Sequence, residues 1–271
     1  MLIELVKAII IGIVEGITEW LPVSSTGHMI LLDELLHLDV TPAFLKLFLV
    51  VIQLGAVLAV AVTFFKRLFP FFPGMKKAER SSVWSLWGKI IVACLPAAVI
   101  GILFDDKLDA LFYNWQTVAA TLIFYGLVFI VIEKTARKKP KITTTEAITY
   151  KTALFIGLFQ LLSLIPGTSR SGATIIGAML LGLSRSTATE FTFFLALPVM
   201  AGASLVTLLK FGFAFSGAEA AILFVGAATA FVVSIVAIKF LTGFVKKHSF
   251  FGFGVYRVVL GVAVILFFAL S

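Results

Sequence analysis

Cysteine is almost missing from this 271-residue chain: Cys94 stands alone, which excludes an intrachain disulfide and a thiolate metal cluster. The thiol is expected to pack as a small apolar group. Charge is scarce too. Asp, Glu, Lys and Arg make up 13% of residues against 61% hydrophobic, and mean hydropathy is +1.12. That balance excludes a soluble globular domain and marks an integral membrane protein. The net charge of +8 does not point to nucleic acid, because Lys and Arg lie between long apolar runs, where they set membrane orientation. Nor is there a signal peptide's basic start. Glu4 precedes Lys7 and no small-residue cleavage site follows, so the first hydrophobic segment is expected to stay.

What is present is apolar sequence of two kinds. Six uninterrupted segments, 44–65, 86–104, 116–132, 190–209, 218–241 and 252–270, have the length to cross a bilayer as helices. Two further regions are broken in the middle, 3–36 at "PVSSTG" and 147–183 at "PGTSRSG", and each half is too short to cross. Each reads as a re-entrant helical hairpin. The expected fold is therefore an all-α membrane protein in which a hairpin and three spans occur twice. Residues 1–132 form the first repeat and 147–271 the second, joined by a basic cytoplasmic linker, 133–146, within a single membrane domain. The copies match weakly: "IGIVEGITEWLPVSSTG" lies beside "IGLFQLLSLIPGTSRSG", with Gly12 opposite Gly157 and Glu15 opposite Gln160. A one-residue slip then sets Pro22 opposite Pro166 and Ser25 opposite Ser169. Three crossings are odd, so the second copy is expected upside down, an inverted-topology repeat.

Basic residues orient the molecule. Loops 66–82, 133–151, 184–189 and 242–251 carry fourteen Lys and Arg, including Arg137 and Lys138, whereas loops 33–43, 105–115 and 210–217 carry only Lys107 and Lys210. The first set is expected in the cytoplasm. The second set is acidic, with Asp33, Glu34, Asp39, Asp105, Asp106 and Asp109. The first hairpin then enters from outside and the second from inside, so their turns can meet near the midplane.

The candidate chemistry sits at those turns. Glu15 and Glu19 are four apart on a helical stretch and share one face, where they could hold a divalent cation. In "SSTGH", Ser24, Ser25 and Thr26 supply hydroxyls, Gly27 permits close approach, and His28 adds acid and base capacity. Exposed N–H groups at the start of a half-helix attract anions, although Ser24 and Thr26 would also be ordinary caps. In "GTSRSGAT", Arg170 with Ser169, Ser171 and Thr174 makes a nest for phosphate oxygens. Other charges have plainer readings. Lys46 and Arg257 can snorkel from span ends and Lys89 lies near the outset of its span. Glu190 closes a capping box opened by Thr187, His37 and His248 lie in loops, and Gln53 is placed to hydrogen-bond the hairpin.

Two functions fit this layout, an anion transporter or flippase and a phosphoryl-transfer enzyme. A transporter needs only a cradle; a nucleophile, a proton carrier and metal ligands favour chemistry. At these residues the chain also resembles the bacterial undecaprenyl-diphosphate phosphatases of the bacitracin-resistance type, through "EGITEWLPVSSTGHM", "PGTSRSGAT", "VVIQLGAVLAV" and the "EF" of residues 190 and 191. The resemblance spans nearly the whole chain. It implies removal of the terminal phosphate from undecaprenyl diphosphate, which recycles the lipid carrier of cell-wall synthesis. It also implies a divalent cation, Mg²⁺ with Ca²⁺ or Mn²⁺ as alternatives, a homodimer, and a multi-pass protein of the bacterial plasma membrane whose site opens to the external face. Glu15, Glu19, Ser25, His28 and Arg170 occupy the family's functional positions, whereas Leu49 stands where some members have an acid. The type 2 phosphatidic acid phosphatases share the reaction class, but no histidine follows "SRSGATIIGAMLLG" to match their nucleophile. The nucleophile is then Ser25 or a metal-bound water, and its base is Glu19 or His28.

Overall fold

The computed structural model describes residues 1–135, 139–212 and 214–270, without the side chains of Asp105, Asp106 and Asp109. The side chains of those three outer aspartates, and the whole of Arg137 and Lys138 of the basic loop, lie outside the described residues. The first broken region forms α1 (Leu2–Thr18) and α2 (Ser25–Leu36), and the second forms α7 (Tyr150–Gln160) and α8 (Arg170–Leu180), with a 3₁₀ turn at Leu161–Leu164. Between them run α3 (Pro42–Thr63), the single turn α4 (Phe65–Leu68), α5 (Lys77–Phe112) and α6 (Trp115–Thr135); α9 (Arg185–Phe211), α10 (Gly217–Phe244) and α11 (Phe251–Leu270) complete the chain. The six helices α3, α5, α6, α9, α10 and α11 are long and apolar enough to cross a membrane. Beside the helices, the described residues contain one isolated parallel bridge, Ile142 with Leu183, which ties the linker to the end of α8.

Helix ends follow local chemistry. Thr41 accepts from the Phe44 N–H with Pro42 in the first turn of α3, and Ser216 with Glu219 forms a complete capping box on α10. The residues expected as loop 105–115 are mostly helix, because nothing stops α5 before Phe112; Asn114 then caps α6 by accepting from the Thr117 N–H at 2.8 Å. Glu190 does not close a capping box. Ser184 caps α9, and Glu190, a turn further in, forms a salt bridge with Arg67, which also reaches Thr145 and Glu146. Lys89 is buried and donates to the Glu146 carbonyl at 2.9 Å, while the side chain of half-buried Gln53 makes no hydrogen bond among the described residues.

Packing joins the two halves. α1 lies against α10 and α7 against α5; α3 packs on α10 and α9, and α9 also on α5. Small residues set these distances, since in a membrane close backbone approach replaces the hydrophobic drive. A Cβ at Gly12 would stand 2.6 Å from the Gly226 carbonyl oxygen on α10. At the crossing of α6 with α11, Gly126 and Gly254 face each other's carbonyl oxygens, each leaving 2.8 Å for a Cβ.

Candidate active site

Both turns are built the same way. Ser24 and Ser169 have φ of 72° and 71°, a backbone region that favours glycine. Each is held there as a helix N-cap: Ser24 Oγ accepts from the Gly27 N–H at 3.4 Å, and Ser169 Oγ from the Gly172 N–H at 3.1 Å. Ser24 thus corresponds to Ser169 at the same spacing that relates Gly12 to Gly157 and Glu15 to Gln160. The slip expected from matching the prolines is absent, and Ser25 stands opposite Arg170.

This placement brings the two turns into one hydrogen-bond chain. Ser25 donates to Glu19 Oε2 at 2.9 Å, and Arg170 Nη2 donates to Glu19 Oε1 at 3.0 Å while its Nη1 donates to the Thr192 carbonyl at 2.7 Å. Glu19 and Ser25 are buried, and the Arg170 side chain is 9% exposed, so the ion pair sits in a poorly screened setting. Ser171 donates to the Glu19 carbonyl at 3.2 Å, fixing the end of α1. Thr174 bonds the Arg170 carbonyl and Thr192 Oγ1, and Ser169 Oγ lies 3.1 Å from Ser171 Oγ. The hydroxyls of Ser169, Ser171 and Thr174, expected on phosphate oxygens, therefore have partners inside the protein. Gly27 meets α6, where a Cβ would come 2.9 Å from Leu122 Cδ1; Thr26 is half-buried beside it. His28 points elsewhere, with Nδ1 2.8 Å from the Ser24 carbonyl oxygen and Nε2 2.7 Å from the Tyr256 hydroxyl.

Glu15, one turn before Glu19, is fully buried, and neither of its oxygens has a hydrogen-bond partner. A carboxylate so placed needs a cation beside it or a proton on it. Among the described residues no group of three His, Cys, Asp or Glu side chains is disposed for a metal, so Glu15 and Glu19 could offer a cation two carboxylates, of which Glu19 already accepts from Ser25 and Arg170. Such a set suits a hard divalent cation that completes its shell with phosphate oxygens and water.

Arg257 corrects the snorkelling expectation. It is fully buried, and it donates to the Pro22 carbonyl at 3.3 Å and to the Gly167 and Thr168 carbonyls at 2.9 Å each. One guanidinium therefore joins the first turn to the second. An arginine in apolar sequence with no acid on its own helix was the available signal, and depth along the helix concealed it. Tyr256, its neighbour, gave no signal at all.

The family described as bacitracin resistance protein BacA matches residues 8–263. Undecaprenyl-diphosphatase 1 of Clostridium acetobutylicum is 57% identical over 268 residues, 98% of each chain. The undecaprenyl-diphosphatase of Lachnoclostridium phytofermentans is 58% identical over 270 residues, 99% of this chain and 98% of the relative. That of Enterococcus faecalis is 56% identical over 269 residues, 98% of each. With its two capped turns, its membrane helices and a match along nearly its whole length, the chain belongs to the bacitracin resistance protein BacA family.

Proposed function

We propose that the protein hydrolyses undecaprenyl diphosphate to undecaprenyl phosphate and inorganic phosphate, recycling the lipid carrier of cell-wall synthesis. The names of the three relatives supply the substrate class. The observation that carries the chemistry is the Ser25–Glu19–Arg170 chain. Ser25 Oγ attacks the terminal phosphorus and passes its proton to Glu19 Oε2; the bond from phosphorus to the bridging oxygen breaks, and undecaprenyl phosphate leaves. Water then attacks the phosphoserine, regenerating Ser25 and releasing phosphate. Glu19 is the base because it already accepts the serine proton at 2.9 Å, whereas both nitrogens of His28 are engaged elsewhere. Arg170 holds the second Glu19 oxygen and places its charge beside the reacting groups. The first-turn N–H groups of α2 and α8 face the phosphates. Glu15 and Glu19 would hold a divalent cation, Mg²⁺ by preference, which when bound supplies charge neutralisation at the phosphate oxygens.

The topology that suits this role is an inverted repeat, 1–132 and 147–271, with α1–α2 re-entrant from outside and α7–α8 from the cytoplasm. The matched positive φ of Ser24 and Ser169 supports it, as does the exchanged packing of α1 on α10 and α7 on α5. So does the length of α1, whose 17 residues span about 26 Å, short of a bilayer's roughly 30 Å core. The excess of basic residues in one set of loops supports a plasma-membrane protein whose site opens externally. The test is phosphate release by the purified protein supplied with undecaprenyl diphosphate and Mg²⁺. Release supports the phosphatase; no release, with anion movement across sealed vesicles, would replace it with a transporter.

A further inference from the structure

His28 is engaged at both ring nitrogens, and this fixes how it can act. Its Nδ1 lies 2.8 Å from the Ser24 carbonyl oxygen, which can only accept, so Nδ1 carries a hydrogen. In the neutral ring Nε2 is then a bare lone pair, and among the described residues the only donor it meets is the Tyr256 hydroxyl, 2.7 Å away. In the imidazolium the same hydroxyl turns and accepts from Nε2–H, so the contact survives a change of charge. The rings stack with centroids 5.7 Å apart and planes 12° apart, which restricts rotation of the imidazole. Tyr256 is itself fixed. It belongs to α11, which packs on α2, and the adjacent Arg257 is bound to the carbonyls of both turns. Around it the α11 surface is apolar, with Val255 and Val259 exposed, so within a bilayer His28 is the partner that spares the hydroxyl an unsatisfied donor.

We propose that Tyr256 is a positioning residue for the hydrolysis: its hydroxyl, bonded to Nε2, holds the orientation of a His28 ring whose Nδ1–H tautomer the Ser24 carbonyl sets. This rests on the phosphatase reading above. It divides the labour at the first turn, with Glu19 serving Ser25 and the His28–Tyr256 pair set apart at the start of α2.

Two measurements test it. In the kinetic one, Tyr256→Phe should lower kcat about tenfold with KM within about twofold, and should add no further loss in a His28→Ala background. An equal loss in both backgrounds would overturn the role, because a tyrosine acting only on packing loses its effect regardless of the imidazole. In the spectroscopic one, His37→Asn and His248→Asn leave His28 as the only ¹⁵N-labelled histidine. The Nδ1–H tautomer should dominate in that protein, and Tyr256→Phe should shift the bare Nε2 signal while Nδ1, still facing the Ser24 carbonyl, keeps its hydrogen. An unchanged spectrum would overturn the proposal even if His28→Ala is too slow to assay. If the unmutated protein releases no phosphate, the phosphatase reading falls and this role with it. If it turns over normally and Tyr256→Phe matches it, the role alone falls.

Discussion

At the break between α1 and α2, the capping serine Ser24 is flanked by Glu15, Glu19, Ser25 and His28; at matching places around Ser169, the break between α7 and α8 holds Gln160, Leu164, Arg170 and Ala173. The two breaks share a serine cap with a positive φ, yet both carboxylates, Ser25 and the imidazole lie on one side and the guanidinium on the other. The ion pair between Glu19 and Arg170 is where the two sides join. In the proposed phosphatase each turn alone would be an incomplete site, and the asymmetry of the side chains, rather than the backbone, would give the pair its chemistry.

The comparison breaks most severely at Arg170. Arg170→Ala should cut kcat/KM on the order of a thousandfold in a phosphate-release assay, and Arg170→Lys should recover little, because an ammonium cannot bond Glu19 and the Thr192 carbonyl as a planar fork. Activity near normal in Arg170→Ala would remove the second turn from the chemistry. A smaller contrast separates the matched pair Glu15 and Gln160. Glu15→Gln should lose about a hundredfold at limiting Mg²⁺ and recover partly as Mg²⁺ rises, whereas Gln160→Leu should stay within about threefold. Equal losses would make the two positions equivalent.

Stability tests sharpen what the halves share. Arg257→Met leaves the Pro22, Gly167 and Thr168 carbonyls without their common donor and should cost about 3 kcal/mol, seen as a lowered thermal midpoint in detergent. An unchanged midpoint would mean the turns hold without it. The smallest effect belongs to the caps. Ser24→Gly and Ser169→Gly each trade a side-chain bond for relief of a strained φ, so each should change stability by less than about 1 kcal/mol and by similar amounts. A large difference between them would show that the two turns carry unequal strain.

Much of this was legible in the sequence. Apolar length located the six spans, and Pro, Gly and hydroxyl clusters located the breaks, because these features act locally on the backbone. Proximity in sequence put both Glu19 and His28 within reach of Ser25 and left the choice open; the hydrogen bond from Ser25 to Glu19 Oε2 appears only in the structure. What periodicity could not supply was depth and direction. Arg257 looked able to snorkel until α11 was packed so that it faces inward, and Tyr256 meets His28 only through contact between α2 and α11. Glu190 suggested a cap from local spacing, but a distant arginine claimed it. Matching the prolines set Ser25 opposite Ser169, whereas the two positive-φ capping serines are Ser24 and Ser169.

The most direct measurement is single-turnover phosphate release by Ser25→Ala, made beside a binding assay for the lipid diphosphate. With Ser25 as nucleophile, release should fall by at least about a thousandfold while binding stays within a few fold, since Arg170, the carboxylate pair and the helix starts remain. Robust release by Ser25→Ala would contradict the serine route and assign the attack to water.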